Sequence, residues 1–198
     1  MKKFTTTIAT IVLGFSLSIT AQAKEAPGHA ALLKSLAEGG KVILMRHSST
    51  EAAEMEVSMR LSGDCSQEQN LSEDGRAEAA LIAKSFQAHG IHIEKVYSSE
   101  YCRARETAEI AFGGSEAWHA LNLAETMSTD DAAFLMLDVQ EKMGDFAGKG
   151  VMVLISHRSN INTITFQQTE PSNMVILQPD GVGNTEVLGV LPVDVLGK

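Results

Sequence analysis

The 198-residue chain is short of several things that would each announce a particular class of protein. Two cysteines are too few for a disulfide-built scaffold. Basic residues are scarce, 16 against 25 acids, and a formal charge of −9 argues against a general binder of nucleic acid or anionic membrane. No internal repeat and no low-complexity linker divides the sequence, which points to one domain. What is present is ordinary: 44% hydrophobic and 21% charged residues, enough for one well-buried core and too apolar for disorder. Any phosphate chemistry must therefore come from a local basic pocket working against the global field.

The first 23 residues read as a leader. Lys2 and Lys3 precede the apolar run Ile8 to Ile19, and Ala21-Gln22-Ala23 follows. A basic start, a short apolar stretch and an A-x-A site make a secretory signal peptide, and the run is too short for a membrane span. Cleavage after Ala23 takes the net charge to −11. Residues 24–198 are then expected to form a single exported domain, periplasmic, without stable membrane insertion.

The remainder alternates strand and helix. Ala30 to Glu38 reads as a helix stopped by Gly39-Gly40, and Lys41 to Met45 (KVILM) as a strand buried on both faces. Glu51 to Gln69 is a polar, irregular excursion. Ser72 caps a helix from Glu73 to Ala88, with two acids in its first turn. Lys95 to Ser99 is predicted as strand, Ala104 to Phe112 as helix, Ala120 to Leu123 as strand and Asp130 to Phe146 as helix. Gly150 to Ser156 (GVMVLIS) is the clearest strand, with Val175 to Leu177 and Glu186 to Leu191 as late ones. This alternation predicts an α/β fold, a three-layer sandwich with a mostly parallel central sheet flanked by helices.

Ligands of such sheets bind beyond the carboxyl ends of the strands. Three strands deliver polar residues there: Arg46-His47-Ser48-Ser49-Thr50, Ser98-Ser99 followed by Arg103, and Ser156-His157-Arg158. Guanidinium forks bind phosphate oxygens with paired charge-assisted bonds, and a neutral imidazole is a competent nucleophile near neutral pH. Two such histidines with two such arginines specify a phosphoryl site that needs no metal and no cofactor.

These segments carry a family resemblance. RHSST resembles the RHG-x-T signature of the histidine phosphatase (phosphoglycerate-mutase-like) superfamily. SSEYCRARETA resembles its S-P-x-x-R-A-x-x-T-A segment, LISH its second-histidine strand, and NLSEDGRAEA its L-(S/T)-x-x-G-x-x-x-A helix start. The four occur in the family's order between about Lys41 and His157, and the wording looks closest to exported bacterial members. The resemblance implies that His47 becomes a transient phosphohistidine while Arg46, Arg103 and His157 hold the phosphoryl oxygens. A carboxylic acid would protonate the leaving oxygen. Glu125 stands where many members place it, with Glu51, Glu106 and Glu170 as alternatives. Thr50 and Arg158 complete the expected substrate contacts. The departures from the pattern are Ser48 for Gly, Glu100 for Pro, Arg158 for Gly and Ala53 for Asn. They imply an altered rim, and a side chain at Ser48 could crowd the nucleophile.

The function expected is hydrolysis of a phosphate monoester through His47, independent of metal. Candidate substrates are a phosphorylated envelope sugar, a small sugar phosphate or phosphohistidine on a protein. The alternative is a catalytically weak protein that holds an anion in the same pocket. His29, His89, His92 and His119 are expected at the surface, and Arg105, two residues from Arg103 on one helix, to point elsewhere. Cys65 and Cys102, exported to an oxidising compartment, are expected to pair.

Overall fold

A computed structural model describes residues 28–197, so the leader at 1–23 lies outside the described residues. The elements follow in the order α1 (His29–Ala37), β1 (Lys41–Arg46), α2 (Met55–Met59), α3 (Glu73–Ala88), β2 (Ile93–Ser98), α4 (Cys102–Phe112), β3 (Glu116–Ala117), α5 (Thr129–Gly144), β4 (Val151–Ser156), α6 (Arg158–Thr165), β5 (Met174–Pro179) and β6 (Thr185–Leu191). The six strands form one sheet in the order β3-β2-β4-β1-β5-β6. β3, β2, β4 and β1 run parallel, while β5 is antiparallel to both of its neighbours.

Alternate residues of the central strands feed two separate cores, as the period of two in a strand requires. Ile43, Met45, Val153 and Ile155 face α1, α3 and α4, where they meet Leu32, Leu36, Ile82, Phe86 and Ala108. Val42, Leu44, Met152 and Leu154 face α5 and α6, against Met136, Val139, Met143 and Ile161. β4 is buried at all six positions, which is why its sequence is an unbroken apolar run.

Three expectations need correction. Ala120 to Leu123 is no strand: β3 is only Glu116–Ala117, and His119–Leu121 is one turn of 3-10 helix. Ala120 and Leu121 are buried beneath α5 from that turn, so their apolar character reflects core contact rather than strand period. α4 begins at Cys102, which places Arg103 in its first turn. The Glu51–Gln69 excursion contains the short helix α2 and a 3-10 turn at Cys65–Gln67. The helix α6 directly after His157 went unread because its eight residues are dominated by Ser, Asn and Thr.

The capping expectation holds, since Ser72 Oγ accepts from the Gly75 N–H at 3.1 Å. The same hydroxyl and the Ser72 N–H both donate to the Ser49 carbonyl. α3 therefore starts in direct contact with the loop that leaves β1. Gly75 makes this approach feasible, because a Cβ there would overlap the Ser49 carbonyl oxygen.

Cys65 and Cys102 form a disulfide, with Cα atoms 5.6 Å apart across a 37-residue separation. It ties the excursion to the first turn of α4. On the chain-entropy argument this closure stabilises the fold by roughly 3–4 kcal/mol. Thermal melts with and without reductant should show a lower Tm on reduction, and a Cys65→Ser/Cys102→Ser pair should melt with the reduced protein. Coincident melts of oxidised and reduced protein would contradict this role.

Candidate active site

β1, β2 and β4 end side by side, and their registers fix what meets there. Arg46 pairs with Ser156 at the last rung, and the His47 N–H continues the ladder to the Ser156 carbonyl at 3.1 Å. His47 and His157 thus leave neighbouring strands together, with ring centroids 5.4 Å apart. Arg103 reaches between them from α4. Its Nε donates to His47 Nε2 and its Nη2 to His157 Nδ1, both at 3.3 Å. The Tyr101 ring closes the group from below, with the Arg103 guanidinium carbon 4.4 Å from its centroid and its ring 4.9 Å from that of His157.

Hydrogen bonding settles which nitrogen of His47 is bare. Nδ1 lies 2.8 Å from the Ser48 carbonyl, which can only accept, so Nδ1 carries the proton and Nε2 the lone pair. Burial, then the Arg103 and Arg46 guanidiniums, lower the His47 pKa from 6.5 to about 3, against an opposing pull from the Ser48 carbonyl. His157 is lowered well below its ordinary value by burial and then by His47, Arg103 and Arg46. Burial likewise lowers Arg103 and Arg46. Two buried donors, Arg103 Nη1 and Arg46 Nε, have no hydrogen-bond partner among the described residues. Two neutral imidazoles and two guanidiniums with unpartnered donors form a site whose chemistry suits an anion.

The cavity over these groups measures about 890 Å³. Thr50, Arg158 and Glu125 line it, as expected, together with Met55 and Met59 of α2 and Asn162 of α6. Glu125 lies in a 3-10 turn, Ala124–Thr126, rather than after a strand, and its Oε2 accepts from Ser159 Oγ at 2.8 Å. Among the alternatives, Glu106 is paired with Arg76 at 2.7 Å away from this cavity. Glu170 is exposed and acts on Arg46 only through its charge. Glu51 is exposed and is held through its backbone N–H by the Asn70 carbonyl. The four remaining histidines are at the surface.

Ser48 does not crowd the nucleophile. Its hydroxyl is 2.7 Å from Ser172 Oγ, which lies 2.8 Å from Glu78 Oε2. The same carboxylate accepts from the Ser49 N–H and hydroxyl at 2.9 and 2.7 Å. Ser172 adopts the left-handed conformation (φ 61°) to reach Ser48, and its N–H donates to the His47 carbonyl at 3.2 Å. Tyr101, Glu78 and Ser172 were not singled out from sequence. Glu78 alone left a signal there, three residues after Gly75 on the helix face that meets the Ser49 loop.

Residues 42–130 match the model of the histidine phosphatase superfamily (branch 1). No curated protein matches the sequence. Among solved structures, the protein histidine phosphatase SixA complexed with tungstate is similar at 17% identity, over 79% of this chain and 99% of that one, with a TM-score of 0.57. Phosphoserine phosphatase from Entamoeba histolytica, in complex with 3-phosphoglyceric acid, is similar at 16% identity over 76% and 95%, with a TM-score of 0.52. A mycobacterial glucosyl-3-phosphoglycerate phosphatase is similar at 13% identity over 74% and 96%, with a TM-score of 0.50. At these identities the likeness is one of fold.

The neutral histidines have a consequence for stability. Between pH 6.5 and about 3 the unfolded chain binds protons that folded His47 excludes. Stability is therefore complete above pH 6.5 and falls as the pH drops through that window. Melting curves at pH 7 and 4.5 should show a larger loss for wild type than for His47→Gln, which removes one such group. Equal losses would mean that His47 is not held neutral.

Proposed function

We propose that this chain, a member of the histidine phosphatase superfamily and a phosphatase, hydrolyses phosphate monoesters through a phosphohistidine on His47. The observation that carries the reading is the bare His47 Nε2, held 3.3 Å from Arg103 Nε on the floor of an anion-seeking cavity. The lone pair attacks phosphorus and the bond to the leaving oxygen breaks. Arg46 and Arg103 supply fixed donors to the equatorial oxygens, where charge spreads in the transition state, and His157 lies beside them to complete the oxygen site. The two guanidiniums provide the positive charge that a metal ion would otherwise bring. The Glu125 carboxyl protonates the leaving alkoxide. Its carboxylate then takes a proton from the water that attacks phosphorus, the P–N bond breaks, and phosphate leaves.

The weak-binder alternative lost one of its two supports when the Ser48 hydroxyl proved to be engaged with Ser172. Export to the periplasm is supported by the leader-like start and by the disulfide, which suits an oxidising compartment. The substrate is a small phosphorylated molecule, for which a cavity of this size leaves ample room beyond the phosphoryl group; a phosphorylated envelope sugar suits the proposed compartment.

His47→Ala should abolish hydrolysis of p-nitrophenyl phosphate while leaving the melting cooperative, and chelators should leave wild-type turnover unchanged. Labelled substrate quenched without acid should leave phosphohistidine on wild type. Turnover by the variant, or an unlabelled wild type, would sink the mechanism.

A proton from Glu125 typically contributes 10²–10⁴-fold and matters most for a poor leaving group. Glu125→Gln should therefore depress hydrolysis of alkyl phosphates by roughly that factor and spare much of the activity on p-nitrophenyl phosphate, whose phenolate needs no proton. Equal losses on both substrates would reassign Glu125 to binding.

A further inference from the structure

His157 is held by a chain of hydrogen bonds that none of the steps above uses. Asn122 lies buried in the turn between β3 and α5. Its Oδ1 accepts from the Glu100 N–H at 2.8 Å and from Ser99 Oγ at 3.0 Å, while its Nδ2 donates to Glu100 Oε2 at 2.7 Å. A backbone N–H only donates and a carboxylate only accepts, so this amide has a single orientation. Arg103 Nη2 can only donate, so His157 Nδ1 accepts and Nε2 carries the ring proton, which leaves the one Ser99 hydroxyl proton for Asn122 Oδ1. The Ser99 oxygen therefore accepts from His157 Nε2, 2.9 Å away. The proton of neutral His157 is thereby held on Nε2, and Nδ1 turns its lone pair toward Arg103 Nη2. A second arm leaves the same residue. The Asn122 carbonyl accepts from Asn160 Nδ2 at 2.7 Å, and Asn160 Oδ1 accepts from the Ala124 N–H at 3.1 Å, one residue before Glu125.

We propose that Asn122 is a positioning residue for phosphoryl transfer, setting the tautomer and ring plane of His157 through Ser99 while Glu100 fixes the amide. The arrangement belongs to this chain, because Glu100 stands where the family pattern has proline, which has neither the N–H nor the carboxylate. With the Nε2 proton committed, Nδ1 accepts the proton of a monoanionic phosphoryl group. Arg103 Nη2 turns its hydrogen from Nδ1 to a phosphoryl oxygen, the phosphoryl O–H bond breaks, the Nδ1–H bond forms, and the new N–H stays hydrogen-bonded to the oxygen that released the proton. The kinetic part of the proposal rests on the phosphatase reading, whereas the tautomer does not.

Long-range 1H–15N spectra of 15N-histidine-labelled protein report the tautomer directly, and hydrolysis of p-nitrophenyl phosphate reports the kinetics. Wild type should show His157 protonated at Nε2. In Asn122→Ala the freed Ser99 hydroxyl can turn its proton to Nε2 in competition with the Arg103 Nη2 bond to Nδ1, so an Nδ1–H form should appear beside the Nε2–H form. kcat/KM should fall about ten- to hundredfold, the scale of one hydrogen bond to a charged group. Asn122→Asp keeps the acceptor but faces the Glu100 carboxylate; adding Glu100→Gln restores a donor and should restore both the tautomer and most of the rate. An unchanged Nε2–H signal in folded Asn122→Ala overturns the proposal, and so does a paired exchange as impaired as Asn122→Asp alone. Should Asn122→Ala not fold, the cure of Asn122→Asp by Glu100→Gln decides the matter. If wild type leaves p-nitrophenyl phosphate intact, the phosphatase reading fails while the spectra still test the relay.

Discussion

Burying a guanidinium with no carboxylate against it costs several kcal/mol even after relaxation, and Arg103 is buried in this way. Its neighbours compensate without neutralising it. The Tyr101 face lies against it, and both histidines offer lone pairs that are available only while the rings stay neutral. The charge depresses the histidines' proton affinity, and the neutral histidines in turn make its burial tolerable. A polar atom left over on the guanidinium, Nη1, is the unmet part of this balance. An anion reaching the cavity floor would meet it.

Such a constellation has to be held by groups outside it, since mutual repulsion among Arg46, Arg103 and any protonated histidine would open it. Two clamps do this from opposite sides. Glu78 on α3 grips the backbone and hydroxyl of Ser49, and through Ser172 the hydroxyl of Ser48, so the loop after the nucleophile is fixed within two residues of His47. Glu68 accepts from the Cys102 N–H at 3.0 Å and the Cys65–Cys102 disulfide sits beside it, so the first turn of α4 is pinned next to Arg103. Both clamping carboxylates lie outside the cavity lining. They position the cations without an ion pair to either, while Glu78 acts on Arg46 and Glu68 on Arg103 through their charge alone.

The sequence made the pieces legible where chemistry and local period agreed. KVILMRHSS and VMVLISHR are each a buried strand running into a polar end, and two such endings on adjacent parallel strands must meet. Ser72 marked the start of α3 as its cap, with Glu73 and Asp74 in the first turn. What stayed hidden was long-range. Nothing local to Ser172 says that it will take a left-handed conformation to meet a hydroxyl 124 residues away. Ala120 and Leu121 looked like strand because burial beneath a helix and burial within a sheet select the same apolar residues over so short a stretch. α6 was missed for the converse reason, Ser159 and Asn160 being kept for hydrogen bonds to the 121–125 turn rather than for helix propensity.

The acidic surface and the cationic pocket are compatible because they act over different distances. Exposed carboxylates act on the cavity through solvent, where interactions beyond roughly 8–10 Å are largely screened. Arg46 and Arg103 act over hydrogen-bond distance in a partly desolvated cleft, where the same charges count for several times more. The chain can therefore carry an excess of acids while the cations of the cavity remain open to an anion small enough to reach its floor. The loops that carry Thr50, Glu125 and Arg158 form the walls through which that anion passes. They are also where this chain departs from the sequence pattern it resembles, at Ala53 and Arg158. The floor thus gathers the cations, and the walls set which anion reaches them.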